Sequence, residues 1–267
     1  MNWEWFKEHL EKRSANPIGF ISTNIKKLDM YVDGYYPGTL WTVGAWPGVG
    51  KTTLMLNLLK ELKGVPVSIF DTETDKSRLM EKFVSLLSGI PDKDIRTKFN
   101  DNYEDIKKYV EKMDCYNFNI NDKSCPTYFD IENEVKNNRP RILIIDYFQN
   151  IDVSYAQNRY GAYTDIARKL ETLTKQFNMT TIMCSQLRRP SEEVVAPTIF
   201  DLKETGKLAE MPHVIIMLSQ SDSELVIDVA KNRSGSKGTF KLRCDWACNR
   251  LYDLKPTTRN VKENTVS

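Results

Sequence analysis

The sequence lacks the features that mark membrane-spanning, secreted or strongly charged proteins. Its 267 residues contain no run near the ~18 uncharged apolar residues that a bilayer span requires. The N-terminal stretch carries acidic residues and no apolar core, which argues against a secretion or transit signal. Lys and Arg total 38 against 36 Asp and Glu, a net charge of +2, so any nucleic-acid contact must come from local placement of charge. These deficits favour a globular cytoplasmic protein with no membrane partner.

Cysteine and histidine are too scarce for an evident metal or disulfide framework. The five cysteines are an odd set, and there are only two histidines. Cys244 and Cys248 have a C-x3-C spacing, but no second pair matches them as a zinc site would require. Free and mostly buried cysteines in a reducing cytosol explain the pattern better.

What the sequence does contain is a regular alternation of apolar, β-branched runs with helical segments. The strand-like runs are 39–45, 65–70, 141–147, 180–185, 214–219 and 225–231, and the helical segments lie near 51–63, 76–88, 103–113, 128–137 and 162–177. This alternation predicts an α/β fold with a mostly parallel central sheet flanked by helices. A turn around 234–238 predicts a C-terminal antiparallel hairpin.

The expected domain organisation is one large domain over 17–255, preceded by a helix and followed by a loose tail. The N-terminal segment 1–16 has Trp3, Phe6 and Leu10 on one helical face. This helix either packs on its own domain or docks on a neighbouring subunit as a linker, and its Trp residues favour the docking role. The tail over 256–267 is polar.

The strongest local signal is GAWPGVGKTTL at 44–54, which lies between a predicted strand and a predicted helix. It matches the loose form of the P-loop, and the strand–loop–helix context supports that interpretation. Small residues let backbone N–H groups approach phosphates, and Lys51 adds a positive charge near the β- and γ-phosphates. The residues expected to bind ATP are Ala45, Pro47, Gly48, Val49, Gly50, Lys51, Thr52 and Thr53.

Acidic residues follow two of the predicted strands. Asp146 follows the apolar run 142–145 and, with the hydroxyl of Thr52, is the expected ligand of Mg²⁺, partly through water. Asp71, Glu73 and Asp75 follow the strand after the P-loop helix, and any of the three could orient the attacking water. Their spacing does not choose among them.

In order and content these segments resemble the C-terminal motor domain of the DnaB-family replicative helicases, which has a RecA-like P-loop NTPase core. The likeness covers roughly residues 17–254. The family's P-loop often begins with alanine, as Ala45 does here. The other matching segments are Leu28–Asp29, Asp71–Thr74, Asp146–Gln149, Ser185–Arg189, Lys203–Gly206 and Lys231–Gly235.

The resemblance implies a role for individual residues within these segments. Glu73 matches the catalytic glutamate, Asp146 the magnesium aspartate and Gln186 the polar sensor. Lys231 and Arg233 match the lysine and the arginine finger that act on the nucleotide of a neighbouring subunit. An arginine finger stabilises charge on the transferred phosphoryl group, with an effect of ~10³–10⁵ on the rate.

Two segments, 153–162 and 187–206, are expected to contact single-stranded DNA. Basic residues beside backbone N–H groups can follow phosphates without reading sequence. Lys203 stands where the family has arginine, which keeps the charge and loses the bidentate fork. The expected DNA-binding residues are Arg159, Arg188, Arg189, Lys203, Glu204 and Gly206.

The implied activity is that of a DNA-dependent ATPase, the motor of a ring-forming, hexameric DNA helicase of replication that uses ATP and Mg²⁺. The sequence does not match the family's N-terminal collar or a primase domain, so a separate primase, loader or collar protein is a candidate partner. Two other classes stay open. One is a RecA-like recombinase or strand-annealing ATPase, and the other is a KaiC-like hexameric switch that does not bind DNA.

Overall fold

The computed structural model describes residues 3, 4, 7, 21–97, 103–188 and 196–253. Apart from residues 3, 4 and 7, the expected N-terminal helix over 1–16 lies outside these segments, as does the expected tail over 256–267. The domain boundaries at residues 17 and 255 therefore stay predictions.

Within these segments, nine β-strands form one mixed sheet. The strands are β1 Leu40–Ala45, β2 Pro66–Asp71, β3 Asn117–Asn121, β4 Ile142–Asp146, β5 Thr180–Gln186, β6 Val214–Ser221, β7 Glu224–Asn232, β8 Gly238–Asp245 and β9 Arg250–Asp253. Their order across the sheet is β3-β2-β4-β5-β1-β6-β7-β8-β9. In this spatial order, the first six strands (β3, β2, β4, β5, β1 and β6) run parallel to one another. Strands β7, β8 and β9 then add antiparallel, each to the strand before it. The predicted mostly parallel sheet with a C-terminal antiparallel hairpin is confirmed.

Helices connect the strands. The α-helices are α1 Lys26–Val32, α2 Lys51–Leu59, α3 Lys76–Ser88, α4 Asp92–Thr97, α5 Tyr103–Glu111, α6 Tyr128–Asn138 and α7 Arg159–Gln176. Shorter 3₁₀ segments lie at Lys112–Cys115, Phe148–Asn150, Ile199–Ala209 and Trp246–Cys248. In the part of the chain that the structure describes, no helix has the length and apolar character to cross a membrane.

Two hydrophobic layers cover the two faces of the sheet, as strand β4 illustrates. Ile142 and Ile144 belong to one buried cluster, whereas Leu143 and Ile145 belong to the other. Successive side chains of a strand point to opposite faces, so a strand covered on both sides has a continuous apolar sequence. Strand β8 has one exposed face and alternates buried with exposed residues instead.

The structure differs from the sequence-based elements in two places near the site. Strand β3 was not predicted because three asparagines alternate along Asn117–Asn121, a pattern that the exposed edge position of this strand tolerates. Helix α7 begins at Arg159 rather than near residue 162, because the side chain of Asn158 accepts a hydrogen bond from the N–H of Gly161 at 3.0 Å. Arg159 therefore lies in a helical turn and not in a loop.

Candidate functional site

The predicted phosphate-binding loop joins the end of β1 to the start of α2. Ala45 is the last residue of β1 and Lys51 the first of α2. Gly48 and Gly50 have φ angles of +78° and +113°, in the left-handed region that favours glycine. A Cβ atom at Gly50 would also lie 2.9 Å from the ring of Trp246. Glycine at position 50 is thus required both by the backbone and by a neighbouring side chain.

The two predicted magnesium ligands lie together at one edge of the sheet. The hydroxyl of Thr52 donates to Oδ2 of Asp146 at 3.3 Å. Burial raises the pKa of Asp146, the charge of Lys51 lowers it, and the charge of Glu73 raises it again. Lys51 is itself buried, with 8% of its surface exposed. Of the remaining loop residues, Pro47 is exposed and Val49 and Thr53 are buried.

Three candidate acidic residues lie at or just after the end of β2, and the carboxylates of two of them accept hydrogen bonds from the backbone. Asp75 caps helix α3, accepting a hydrogen bond from the N–H of Arg78 at 2.9 Å. Asp71 is buried, and its Oδ1 accepts from the N–H groups of Glu73 at 3.1 Å and Thr74 at 2.8 Å. Glu73 is exposed, and its charge raises the pKa of the aspartate at the end of β4. This arrangement favours Glu73 for the chemical role that the spacing left open.

Two buried carboxylate oxygens at this edge have no hydrogen-bond partner among the described residues. They are Oδ1 of Asp146 and Oδ2 of Asp71. A buried polar atom without a partner is destabilising and calls for an explanation such as an ion. Mg²⁺ binds oxygen ligands from carboxylates, hydroxyls and water. With the hydroxyl of Thr52, these oxygens form a donor set that fits Mg²⁺.

Thr72, which lies in the matching segment Asp71–Thr74 but had no predicted role, holds the ends of β2 and β4 together. The N–H of Thr72 donates to the carbonyl oxygen of Asp146 at 2.7 Å, and its hydroxyl donates to the same oxygen at 3.1 Å. That hydroxyl also accepts from the N–H of Tyr147 at 3.2 Å and from Nδ2 of Asn150 at 2.9 Å. Beyond that segment, the only sequence signal for Thr72 was its place between two candidate carboxylates.

Gln149 connects the end of β4 with the end of β5. Its Nε2 donates to Oγ of Ser185 and to the carbonyl oxygen of Gln186, both at 2.9 Å. Its Oε1 accepts from the N–H of Gln186 at 3.3 Å. The hydroxyl of Tyr163, in helix α7, donates to the carbonyl oxygen of Gln149 at 2.5 Å. Gln149 lies in the matching segment Asp146–Gln149 but had no predicted role. Its hydrogen bonds hold the predicted sensor Gln186.

A groove of ≈ 480 Å³, called the arginine-lined groove below, includes Gln149 and Gln186 in its lining. It is lined by Gln149, Arg159, Tyr160, Tyr163, Gln186, Leu187, Arg188, Phe200 and Asp201. Two of the predicted DNA-binding residues, Arg159 and Arg188, therefore share one surface, and both are exposed. Arg189 lies outside the described residues. Lys203, Glu204 and Gly206 fall within the 3₁₀ segment Ile199–Ala209, and their side chains lie outside the described part of the chain.

Lys231 and Arg233 lie at the opposite edge of the sheet from the phosphate-binding loop. Lys231 pairs with Ile215 near the start of β6, whereas Ala45 pairs with Leu218 further along the same strand. The N–H of Arg233 donates to the carbonyl oxygen of residue 213 at 2.9 Å. At about 3.3 Å per residue, the five residues from 213 to 218 separate the two positions by roughly 16 Å along the sheet. The fold does not bring these two cations to the phosphate site predicted in the same chain.

Both of these side chains contact the backbone that follows the 3₁₀ segment. Nζ of Lys231 donates to the carbonyl oxygens of Ala209 at 3.3 Å and Glu210 at 2.5 Å, and Nη2 of Arg233 donates to that of Glu210 at 3.0 Å. Burial lowers the pKa of Lys231, and the charge of Arg233 lowers it further. The two cations are therefore close together, with Lys231 partly desolvated and Arg233 exposed.

Comparison with known proteins agrees with this architecture. A family model described as the DnaB-like helicase C-terminal domain matches residues 20–253. The chain is 25% identical over 272 residues to a probable replicative DNA helicase of Trieres chinensis, covering 91% of this chain and 60% of that protein. It is 29% identical over 282 residues to the replicative DNA helicase DnaB of Buchnera aphidicola subsp. Schizaphis graminum, again covering 91% and 60%. The chain thus spans about three fifths of the length of these relatives.

Two solved structures share the fold at 21% sequence identity. One is an ATPase domain, with a TM-score of 0.84 over 95% of this chain and 99% of that one. The other is a DnaB-like replicative helicase, described with its interactions with primase, with a TM-score of 0.82 over 96% of this chain and 67% of that one. Because the family model matches most of its length, the chain belongs to the family of DnaB-like helicase C-terminal domains.

Proposed function

We propose that this chain is the ATP-driven motor of a ring-forming DNA helicase that translocates on single-stranded DNA and unwinds duplex DNA in replication. The observation that carries the proposal is the contact through Gln149, which connects the strand end bearing Asp146 to the arginine-lined groove. A motor needs such a connection, because the state of the nucleotide has to alter the affinity for DNA. The similarity to relatives named replicative DNA helicase supports the same function.

ATP and Mg²⁺ are the proposed ligands of the phosphate-binding loop. The side chain of Lys51 and the backbone N–H groups of the loop residues other than Pro47, which has none, would bind the phosphates. Thr52 and Asp146 would hold Mg²⁺, partly through water, and the bound ion would neutralise negative charge on the phosphates. Glu73 orients the attacking water and accepts its proton. Gln186 senses the γ-phosphate.

Completion of the site requires a neighbouring subunit in this proposal. Lys231 and Arg233 lie at the sheet edge opposite their own phosphate-binding loop, so they would reach the nucleotide of the next subunit. A contact in which one face of a subunit meets a different face of the next closes into a ring or continues as a filament. A closed hexameric ring is the arrangement that fits translocation along a threaded strand.

Partners beyond DNA follow from the same proposal. One structural neighbour is described with its interactions with primase. A primase, a loader or a collar protein acting on this chain is therefore proposed as a partner class. The recombinase and KaiC-like alternatives predict different assemblies and different responses to DNA.

The test is an unwinding assay on a forked DNA duplex with ATP and Mg²⁺, together with single-particle imaging of the same sample. We expect closed rings, ATP hydrolysis stimulated by single-stranded DNA, and strand separation that the Lys51→Ala variant does not support. Open filaments that pair strands without unwinding would favour the recombinase class. Rings whose hydrolysis does not respond to DNA would favour the switch class.

A further inference from the structure

Two large aromatic side chains are exposed in the arginine-lined groove. Tyr160 and Phe200 line it together with Arg159 and Arg188, and their exposed fractions are 54% and 66%. Tyr160 belongs to the first turn of α7, and Phe200 to the start of the 3₁₀ segment Ile199–Ala209. Contact with phosphates uses cations, N–H groups and hydroxyls, and an aromatic ring such as that of Phe200 contributes nothing to it.

Both rings are carried by well-anchored backbone. Helix α7 is capped by Asn158, and Tyr163, one turn after Tyr160, is buried with its hydroxyl bonded to the backbone. On the other side, Leu202 follows Phe200 by two residues and is fully buried. The positions of the rings are therefore set by the fold around them, as a preformed contact surface requires.

The charge in the groove fits a nucleic-acid strand. Arg159 and Arg188 contribute two positive charges and Asp201 one negative charge among the described lining residues. The carboxylate of Asp201 accepts from the N–H and the hydroxyl of Thr198 at 2.6 and 3.1 Å, so part of its hydrogen-bonding capacity is used locally. Aromatic faces next to guanidinium groups match the two parts of an unpaired nucleotide, the base and the phosphate.

We propose that Tyr160 and Phe200 stack on unpaired bases, so that the groove binds single-stranded DNA through base faces as well as through phosphates. This inference rests on the proposed function and specifies its DNA contact. Stacking does not depend on base identity, because every base has a π-face, so the contact is compatible with movement along any sequence. Bases paired within a duplex are already stacked, so the contact favours single strands.

The experiment compares binding of the full chain to two fluorescent oligonucleotides of equal length. One is an ordinary mixed-sequence strand and the other has the same phosphates but a central tract of abasic sites. Anisotropy is measured with Mg²⁺ and a non-hydrolysable ATP analogue. We expect the wild-type protein to bind the ordinary strand more tightly, by roughly 5-fold to 150-fold for each base that stacks.

Variants separate base contacts from phosphate contacts. The double variant Tyr160→Ala/Phe200→Ala loses the preference for the ordinary strand and keeps its affinity for the abasic strand, whereas Tyr160→Phe keeps the preference. Arg159→Ala weakens binding of both strands by the same factor. Phe129→Ala removes a ring of similar exposure, 64%, on helix α6 and leaves both affinities unchanged. Because Tyr160 and Phe200 are exposed, their replacement is expected to change stability little.

Three outcomes would overturn the inference, and they differ in what else they affect. Equal binding of both strands by the wild-type protein would show that only phosphates are contacted, which leaves the helicase proposal intact. An undiminished preference in the double variant would show that residues other than Tyr160 and Phe200 contact the bases, and it would also leave the helicase proposal intact. Failure of the wild-type protein to bind either strand would reject the proposed function and the stacking contact together.

Discussion

Asp71 and Asp146 occupy paired positions on adjacent parallel strands, at the ends of β2 and β4. Both are buried, with exposed fractions of 1% and 3%. Burial raises the pKa of Asp71 to about 6, and the charge of Asp146 raises it while hydrogen bonds from the backbone oppose the shift. The negative charges of two neighbouring carboxylates repel each other, and a bound cation would relieve that repulsion.

The stability of the protein without ligand should fall as the pH rises from about 4 to about 6 because of Asp71. In this window the folded protein retains a proton that the unfolded chain has released, so unfolding is favoured as the pH rises. The contribution is on the order of 3 kcal/mol for a shift of about two pKa units. Asp71→Asn keeps an oxygen acceptor for the N–H groups of Glu73 and Thr74 and removes this titration.

Urea unfolding of both proteins at several pH values measures this effect. The free energy of unfolding of Asp71→Asn minus that of the wild type should increase between pH 4 and pH 7. A difference that stays constant over this range would contradict the assignment of the titration to Asp71.

Glu73→Gln should lower the rate of ATP hydrolysis by ~10²–10⁴, the typical contribution of a general base, and leave ATP binding intact. Lys51→Ala should abolish turnover because it removes the cation at the phosphates. The release of inorganic phosphate measures the hydrolysis rate, and a separate binding assay measures the affinity for ATP, in the wild-type protein and in each variant. Asp75→Asn is the control, because asparagine caps helix α3 as well as aspartate does. Normal hydrolysis in Glu73→Gln, or its loss in Asp75→Asn, would show that the wrong carboxylate was chosen.

Arg233→Ala should abolish hydrolysis in the assembled protein, with a loss on the order of 10³–10⁵ if it acts as an arginine finger. Mixing it with Lys51→Ala should partly restore activity, since some junctions then combine an intact loop with an intact arginine. Steady-state hydrolysis as a function of mixing ratio measures the effect. The surface variant Lys241→Ala, which removes an exposed ion pair with Glu224, should stay fully active. Failure of every mixture to regain activity would argue against action between subunits.

Gln149→Met should reduce the stimulation of ATP hydrolysis by single-stranded DNA, by about fivefold or more if the coupling energy is typical. The substitution removes the hydrogen bonds to Ser185 and Gln186 while keeping a side chain of similar length. Tyr163→Phe removes the contact from helix α7 and should act in the same direction. The ratio of rates with and without DNA is the measurement. Unchanged stimulation in both variants would show that coupling follows another route.

Local sequence patterns predicted much of the fold and of the candidate nucleotide site. Continuous apolar runs such as 142–145 predicted buried strands, because both faces of a central strand are covered. The glycines and Lys51 between a strand and a helix predicted the phosphate-binding loop, because the geometry of that loop depends on neighbouring residues only. Strand β3 was missed, since its stability comes from pairing with β2 rather than from its own composition.

Contacts between distant segments decided the rest. The sequence alone determined which residue types were available at each strand end. Its spacing left Asp71, Glu73 and Asp75 open and the family resemblance matched Glu73, whereas the burial and the partners of the three residues gave the physical reason. The contacts of Gln149 and Thr72 join residues far apart in the chain, so no spacing rule could indicate them. Likewise, Arg233 follows the end of β7 and lies at the edge opposite the predicted phosphate-binding loop because β7 pairs antiparallel with β6. Local patterns specify elements and motifs, whereas packing of the sheet determines which side chains meet.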